Sequence, residues 1–124
     1  MTIGGRPQLE DIYALGVEPV EIPDPGNAGA IDVSRSGYML LVSAAAETRT
    51  LARPLFFGQE LQLMCKTDGG DNVITVTGTI NATGNNTITI NDVGDYVLLR
   101  ASIGAAAVFQ WRVVVNDGAS LSTV

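Results

Sequence analysis

The residues that could do chemistry in this chain are a cysteine, a tryptophan and a set of carboxylates. The sequence contains no histidine, which removes the usual base of Ser-His-Asp and Cys-His catalysis and the commonest transition-metal ligand. Cys65 is the one cysteine, so it can form neither an internal disulfide nor a multi-cysteine zinc site. Glycine-rich phosphate-binding motifs are also absent. We therefore expect a protein that is not an enzyme and that holds no metal or cofactor.

The carboxylates fall in turns rather than on a common surface. Aspartates are typical turn residues, because their side chains hydrogen-bond to the nearby backbone. Calcium could use such loops, but the spacing is not that of an EF-hand, and a glycosidase would need two acids facing one another in a cleft. We expect turn chemistry, with a bound cation as the alternative. The aspartates concerned are Asp68, Asp71, Asp92, Asp95 and Asp117.

Trp111 could be a stacking platform for a sugar, but its strand argues for burial. Phe109, Val113 and Val115 share the period-two face of Trp111 and are all apolar. We expect this face, and Cys65 with it, to belong to the core.

Short strands at spacings of roughly ten residues follow one another from residue 30 onward, separated by Gly, Asn and Asp turns. This rhythm predicts an all-β fold, an antiparallel β-sandwich or jelly-roll-like barrel of about eight strands. The segment Tyr38 to Val42 is apolar on both faces, as in a strand that is covered on each side. A chain of 124 residues forms one such domain.

The stretch from Glu60 to Ile80 reads as two strands joined by a glycine turn, Thr67 to Asp71. Its alternation puts aliphatic side chains on one face and threonines on the other. We predict a core built on Leu61, Leu63, Cys65, Ile74, Val76, Trp111 and Val113. Uncharged ladders are either solvated or buried against an identical subunit. The predicted subunit interface comprises Gln62, Met64, Thr75, Thr77, Thr79, Thr87 and Thr89.

Residues 1–26 differ from the β domain, 27–124, because they are acidic and hold four of the five prolines. A short helix could form over residues 8–15, and the rest is extended. We expect an arm that lies over the body of the domain or over a neighbour, the alternative being a disordered tail. Its predicted contact residues are Leu9, Ile12, Tyr13, Leu15, Val20 and Ile22.

The net charge of −6 and the scattered basic residues argue against binding to nucleic acid. No apolar run is long enough to span a bilayer, and no secretory signal is visible. We expect a chain made in a cytoplasm, without nucleic-acid or membrane partners. Only 16% of its residues are charged, so its surface is either built from Thr, Ser, Asn and Gly or covered by other subunits.

Several short motifs between residues 30 and 118 resemble small β domains of tailed-phage virions, above all capsid decoration (cement) proteins. They are Thr48-x-Thr50-Leu51-x-x-Pro54, Gly58-x-x-Leu61, Thr67-Asp68-Gly69-Gly70, Ile74-Thr75-Val76, Val97-Leu98-Leu99 and Trp111-x-Val113-Val114. Typical members have Leu-Pro where this chain has Leu51-Ala52-Arg53-Pro54.

The resemblance implies a structural protein on the capsid surface of a virion. It also implies a homo-oligomer, with a trimer favoured, that binds the major capsid protein. Two alternatives stay open. One is a carbohydrate- or receptor-binding module of a head or tail fibre that uses Trp111, Tyr96 or Tyr38. The other is a component of the head–tail joint.

Overall fold

The computed structural model describes residues 20–124. The predicted helix over 8–15 and the contact residues Leu9, Ile12, Tyr13 and Leu15 lie outside these described residues. Nine strands form within the described part: β1 (Gly29–Ala30), β2 (Gly37–Val42), β3 (Glu47–Leu51), β4 (Glu60–Thr67), β5 (Asn72–Val76), β6 (Thr87–Ile90), β7 (Tyr96–Ile103), β8 (Phe109–Asp117) and β9 (Ser120–Ser122). A short 3-10 turn, Ala105–Ala107, precedes β8.

The strands form two sheets, and the predicted all-β, sandwich-like fold is confirmed. One sheet has the order β1-β3-β5-β6-β9, and the other has the order β2-β4-β7-β8. The pairing is mixed rather than antiparallel throughout, because β1 with β3, β2 with β4 and β3 with β5 are parallel. The described residues include no helix that is long and apolar enough to cross a membrane.

The core lies between the two sheets and is built from alternate residues of each strand. Six of the predicted core residues are buried: Leu61, Leu63, Cys65, Ile74, Val76 and Trp111. Val113 is partly buried and packs against them. The period-two pattern therefore identified the inward-facing side of β4 and β5.

The predicted hairpin from Glu60 to Ile80 is wrong. β4 pairs with β2 and β7, whereas β5 pairs with β3 and β6 in the other sheet. The turn between them therefore carries the chain across the sandwich. Alternation reports the buried side of each strand, but it carries no information on the partner strand.

Gly69 and Gly70 serve close packing at this crossing, and neither has a positive φ. A Cβ on Gly69 would lie 2.5 Å from the Ser43 carbonyl oxygen, and one on Gly70 would lie 2.4 Å from the Ala45 carbonyl carbon. The two loops that cross between the sheets, 43–46 and 68–71, thus touch backbone to backbone. Glycine is needed because a side chain would not fit.

The strand directions place the loops at two opposite ends of the sandwich. Loops 43–46, 68–71, 91–95 and 118–119 lie at one end, and loops 31–36, 52–59, 77–86 and 104–108 lie at the other. This arrangement determines which surface residues can be neighbours, and it separates two groups of charged side chains.

Candidate interaction surfaces

The centre of the outer side of the four-stranded sheet carries large uncharged side chains, and Glu60, Arg100, Arg112 and Asp117 lie around it. In register, Gln62 lies between Tyr38 and Leu98, and Met64 lies between Leu40 and Tyr96. Val115, on β8, is the register partner of Leu98, on β7. We call this the apolar face: Tyr38, Leu40, Gln62, Met64, Tyr96, Leu98 and Val115. Met64 is 39% exposed and Val115 is 42% exposed, so the described part of the chain leaves this face open to a partner.

A shallow pocket of about 120 Å³ lies within the apolar face. It is lined by Tyr38, Met39, Leu40, Gln62, Met64 and Tyr96. The Tyr96 hydroxyl donates to Gln62 Oε1 at 3.0 Å, which holds the amide beside the pocket. Its lining is two aromatic rings, aliphatic and thioether groups, and one amide. Such a pocket suits an apolar or aromatic group better than a charged one.

The outer side of the five-stranded sheet is a hydroxyl-rich surface. Thr50 pairs with Thr75, Thr75 with Thr87, and Thr87 with Ser122; in the next row, Thr89 pairs with Ser120. We call this the threonine face: Thr48, Thr50, Val73, Thr75, Thr87, Thr89, Ser120 and Ser122. Thr87, at its centre, is only 2% exposed. The face carries hydroxyl groups and no charged group. A partner could therefore cover it without desolvating a charge.

The structure divides the predicted subunit interface between two surfaces. Gln62 and Met64 lie on the apolar face, whereas Thr75, Thr87 and Thr89 lie on the threonine face of the other sheet. Thr77 follows β5 and is exposed, and Thr79 lies in the connection whose Ile80 oxygen accepts from the Val113 amide. The prediction that these residues share one face is wrong, because it depended on the β4–β5 hairpin.

An exposed apolar tip, Leu55–Phe57, stands on the loop between β3 and β4; we call it the Phe tip. Phe57 is 66% exposed. The buried Gln59 side chain holds the loop, because its Oε1 accepts from the Leu55 amide at 2.8 Å and its Nε2 donates to the Val33 oxygen at 2.8 Å. The tip is therefore presented by a hydrogen-bonded loop rather than by a loose one.

Charge is separated between the two ends of the sandwich. The end with the Phe tip, the basic end, carries Arg35, Arg53, Arg100 and Arg112, with the acids Glu21, Asp32 and Glu60. Arg100 is paired with Glu60 at 2.7 Å. The opposite, acidic end carries exposed Asp68, Asp71, Asp92 and Asp117 against one exposed cation, Lys66. Because the two ends differ in charge, each end attracts surfaces of the opposite charge on another molecule.

The carboxylates of the acidic end affect the pKa of the Cys65 thiol. Burial raises the pKa of Cys65, and the nearby carboxylates of Asp68, Asp95 and Asp92 raise it further. The thiol therefore stays protonated and unreactive, as expected for a core cysteine. Two of the five turn aspartates bond to the nearby backbone as predicted: Asp68 accepts from the Gly70 amide, and Asp95 accepts from the amides of Asn91 and Asp92. Over residues 20–124, acidic and cysteine side chains form no cluster of three that could hold a metal ion.

The segment before β1 is anchored to the domain by a buried ion pair. Arg49, on β3, donates from Nε to Asp24 Oδ1 at 2.6 Å and from Nη2 to Glu47 Oε1 at 3.0 Å. Ile22 was predicted to contact a neighbour, but it is fully buried in the domain's own core. Val20 is exposed, and its oxygen accepts from the Tyr38 amide. The packed domain thus begins before residue 27, because residues 20–26 lie along β2 and the sandwich edge.

Trp111 is not a surface platform. It is 1% exposed, and its Nε1 donates to the Ala52 oxygen at 2.8 Å. The register of β7 with β8 shifts between Leu98 and Leu99. This bulge turns Val115 outward, so the predicted common face of Trp111, Val113 and Val115 is wrong at its last residue.

Sequence reasoning missed the Phe tip and the Asp24–Arg49 pair. The first was visible as three consecutive large apolar residues between Pro54 and Gly58. The second had no local signal, since 25 residues separate the partners. The apolar face did leave a signal, namely the strand Tyr38 to Val42 with apolar residues on both sides.

Comparison with known proteins gives no match to a protein-family model and none to a curated sequence.

Proposed function

We propose that this chain is a structural, non-enzymatic protein of a tailed-phage virion. It binds the outside of the capsid as an oligomer, with a trimer favoured, and it stabilises the shell. The observation that supports this proposal best is the presence of two uncharged faces on opposite sides of one domain. A domain with two such faces can bind a copy of itself and a second protein at the same time.

The two faces suit different contacts. Contacts between permanent subunits are more apolar than other interfaces, so we assign the apolar face to contact between copies. The threonine face offers hydroxyls that pack or bind water without leaving a charge desolvated. We assign it to the major capsid protein. The net charge of −6 agrees with a place on the outside of the shell, away from the packaged nucleic acid.

The proposal is tested by co-sedimentation of the protein with expanded capsids that lack it. The wild-type chain is expected to sediment with the capsids, and Thr75→Lys with Thr77→Lys is expected to remain in the supernatant. The matched control is Val93→Lys, because Val93 is an exposed side chain outside both faces. Wild-type protein that stays in the supernatant at micromolar concentration, or a double variant that binds as well as wild type, would count against the proposal.

Residues 1–19 are tested separately. Deletion should stop before Val20, because Ile22 and Asp24 stabilise the domain itself. If this segment reaches over a neighbour, its removal is expected to reduce capsid occupancy while the circular dichroism spectrum of the domain is unchanged. Unchanged occupancy would restrict the capsid contact to residues 20–124.

A second candidate function is carbohydrate binding, and the pocket between Tyr38 and Tyr96 is the observation that favours it. Aromatic rings with a neighbouring amide such as Gln62 are the groups that bind a sugar ring. Glycan binding measured by calorimetry, and lost in Tyr96→Ala, would support this candidate. Retained binding in that variant would exclude the pocket as the site.

A further inference from the structure

We propose that copies of this chain bind one another through a heterologous contact, in which the Phe tip of one copy enters the pocket of the next. The inference deepens the proposed oligomer by naming both sides of its contact. It rests on the chain forming an oligomer and does not depend on a capsid.

Size and chemistry match across this contact. The pocket of about 120 Å³ is lined by two tyrosines, methionines and a leucine, and an apolar cavity of about 150 Å³ holds a benzene molecule. The pocket therefore has room for most of one phenyl ring. The rim includes the Gln62 amide, whose oxygen accepts from the Tyr96 hydroxyl. No residue that lines the pocket is charged, so insertion of a phenyl ring would bury no charge.

The tip is preorganised for insertion. Gln59 holds the Leu55 amide and the Val33 oxygen, and its own backbone oxygen accepts from Ala101 on β7. Association would therefore lose little loop entropy, which otherwise reduces affinity. Two adjacent phenylalanines with a leucine, held open to solvent, are unusual unless a partner covers them.

Charge is complementary around the two surfaces. Arg35 and Arg53 lie on the loops at the tip's end of the sandwich. The Tyr96 edge of the pocket is the edge nearer the acidic end, because Tyr96 begins β7 and is paired with Asp117. Exposed Asp68, Asp92 and Asp117 outnumber Lys66 there. The arginines beside the tip and the aspartates beyond the Tyr96 edge are opposite in charge, which favours tip against pocket.

The tip and the pocket lie on different parts of the domain. The tip stands on a loop at the basic end, whereas the pocket lies on the outer side of the four-stranded sheet. When each tip enters the pocket of the next copy, the contact is heterologous and forms a closed ring, such as a trimer, if the rotation closes. A two-fold dimer would instead require each copy to insert its tip into the pocket of the other.

Two variants separate the two sides of the contact. Phe56→Ser with Phe57→Ser removes the tip and keeps the pocket, while Met64→Glu blocks the pocket and keeps the tip. The controls are Val93→Ser, an exposed apolar residue at the acidic end, and Val114→Glu, which is on the same sheet as the pocket but does not line it. The mass of each is measured by size exclusion with light scattering at micromolar concentrations, without capsids.

The wild type and both controls are expected to be oligomeric, and each test variant alone is expected to be a monomer. Mixing the two test variants should give a one-to-one dimer, since one intact tip and one intact pocket remain. A monomeric wild type, an oligomer that survives both variants, or a mixture that stays monomeric would overturn the proposal.

Cross-linking gives an independent readout. Phe57→Cys with Met64→Cys is expected to form disulfide-linked oligomers on oxidation, while Phe57→Cys with Val93→Cys is expected to stay monomeric on a denaturing gel. Equal cross-linking in both would overturn the contact. An oligomer that behaves as expected but does not bind capsids would leave this contact standing and remove only the proposed capsid function.

Discussion

Asp24 and Arg49 form a two-point ion pair that joins the segment preceding β1 to the five-stranded sheet. Arg49 Nε lies 2.6 Å from Asp24 Oδ1, and Nη2 lies 2.9 Å from Oδ2. Asp24 Oδ2 also accepts from the Val42 amide at 2.9 Å, on β2 of the other sheet. One carboxylate therefore connects both sheets at the sandwich edge. A planar guanidinium makes such a pair directional as well as strong.

Removing the guanidinium should destabilise the domain strongly. The Arg49 side chain is fully buried and also contacts Glu47 and Asn72. Arg49→Ala would leave two carboxylates without their cation, and Asn72 already has one buried unpaired amide nitrogen, Nδ2. We expect a loss of about 3–5 kcal/mol in the free energy of unfolding, measured by urea denaturation.

The control for that measurement is Arg100→Ala. Arg100 is paired with Glu60, but both side chains are more than 40% exposed. Its removal should cost below about 1 kcal/mol, because water and salt screen the pair. Equal losses in the two variants would contradict the role assigned to the buried pair.

Acid should weaken the fold through Asp24. Burial raises the pKa of Asp24, but hydrogen bonds from Arg49, Val42 and Gly26 outweigh burial, and the net pKa is lowered. A lowered folded-state pKa adds stability above the unfolded-state value of about 4, and this is lost as the pH falls through the folded-state pKa. We therefore expect the free energy of unfolding to decrease below about pH 4.

Asp24→Asn should flatten that decrease and lower stability at neutral pH. Some slope will remain, since hydrogen bonds from Ser34 also lower the pKa of Asp32. Asp71→Asn is the control, because its exposed side chain has no hydrogen-bond partner among residues 20–124. Chemical denaturation at several pH values measures both profiles, and an unchanged slope in Asp24→Asn would be evidence against this assignment.

Gly70→Ala should destabilise the crossing between the sheets. Its Cβ would lie 2.4 Å from backbone atoms of Ala45 and Ala46, so one loop must move. We expect a loss of about 1–3 kcal/mol in thermal or urea unfolding. In Gly104→Ala the three atoms nearest to the new Cβ all belong to the Gln110 side chain, which can rotate away, so this control should lose less. The reverse order would show that the loops are not closely packed.

Trp111 provides a spectroscopic test, because it is the one tryptophan of the chain. Its burial predicts blue-shifted emission that acrylamide quenches weakly and that glycans do not change. Trp111→Phe would leave the Ala52 oxygen without its donor, and should cost about 1–3 kcal/mol. Emission near that of free tryptophan would contradict the buried position.

The local pattern of the sequence was enough to predict a β-rich domain and its inward-facing side chains. Leu61, Leu63, Ile74 and Val76 are buried as predicted, because alternation along a strand depends only on neighbours in the chain. The threonine ladders of β5 and β6 also pair as neighbours, with Thr75 opposite Thr87.

Only the tertiary structure decided which strands pair and which residues share a surface. β4 and β5 follow one another but lie in different sheets, so Met64 and Thr75 face opposite sides of the molecule. The Asp24–Arg49 pair and the pocket between Tyr38 and Tyr96 likewise join residues that are far apart in the chain. The physical reason is that pairing depends on the packing of the whole sandwich, and no short stretch of sequence contains that information.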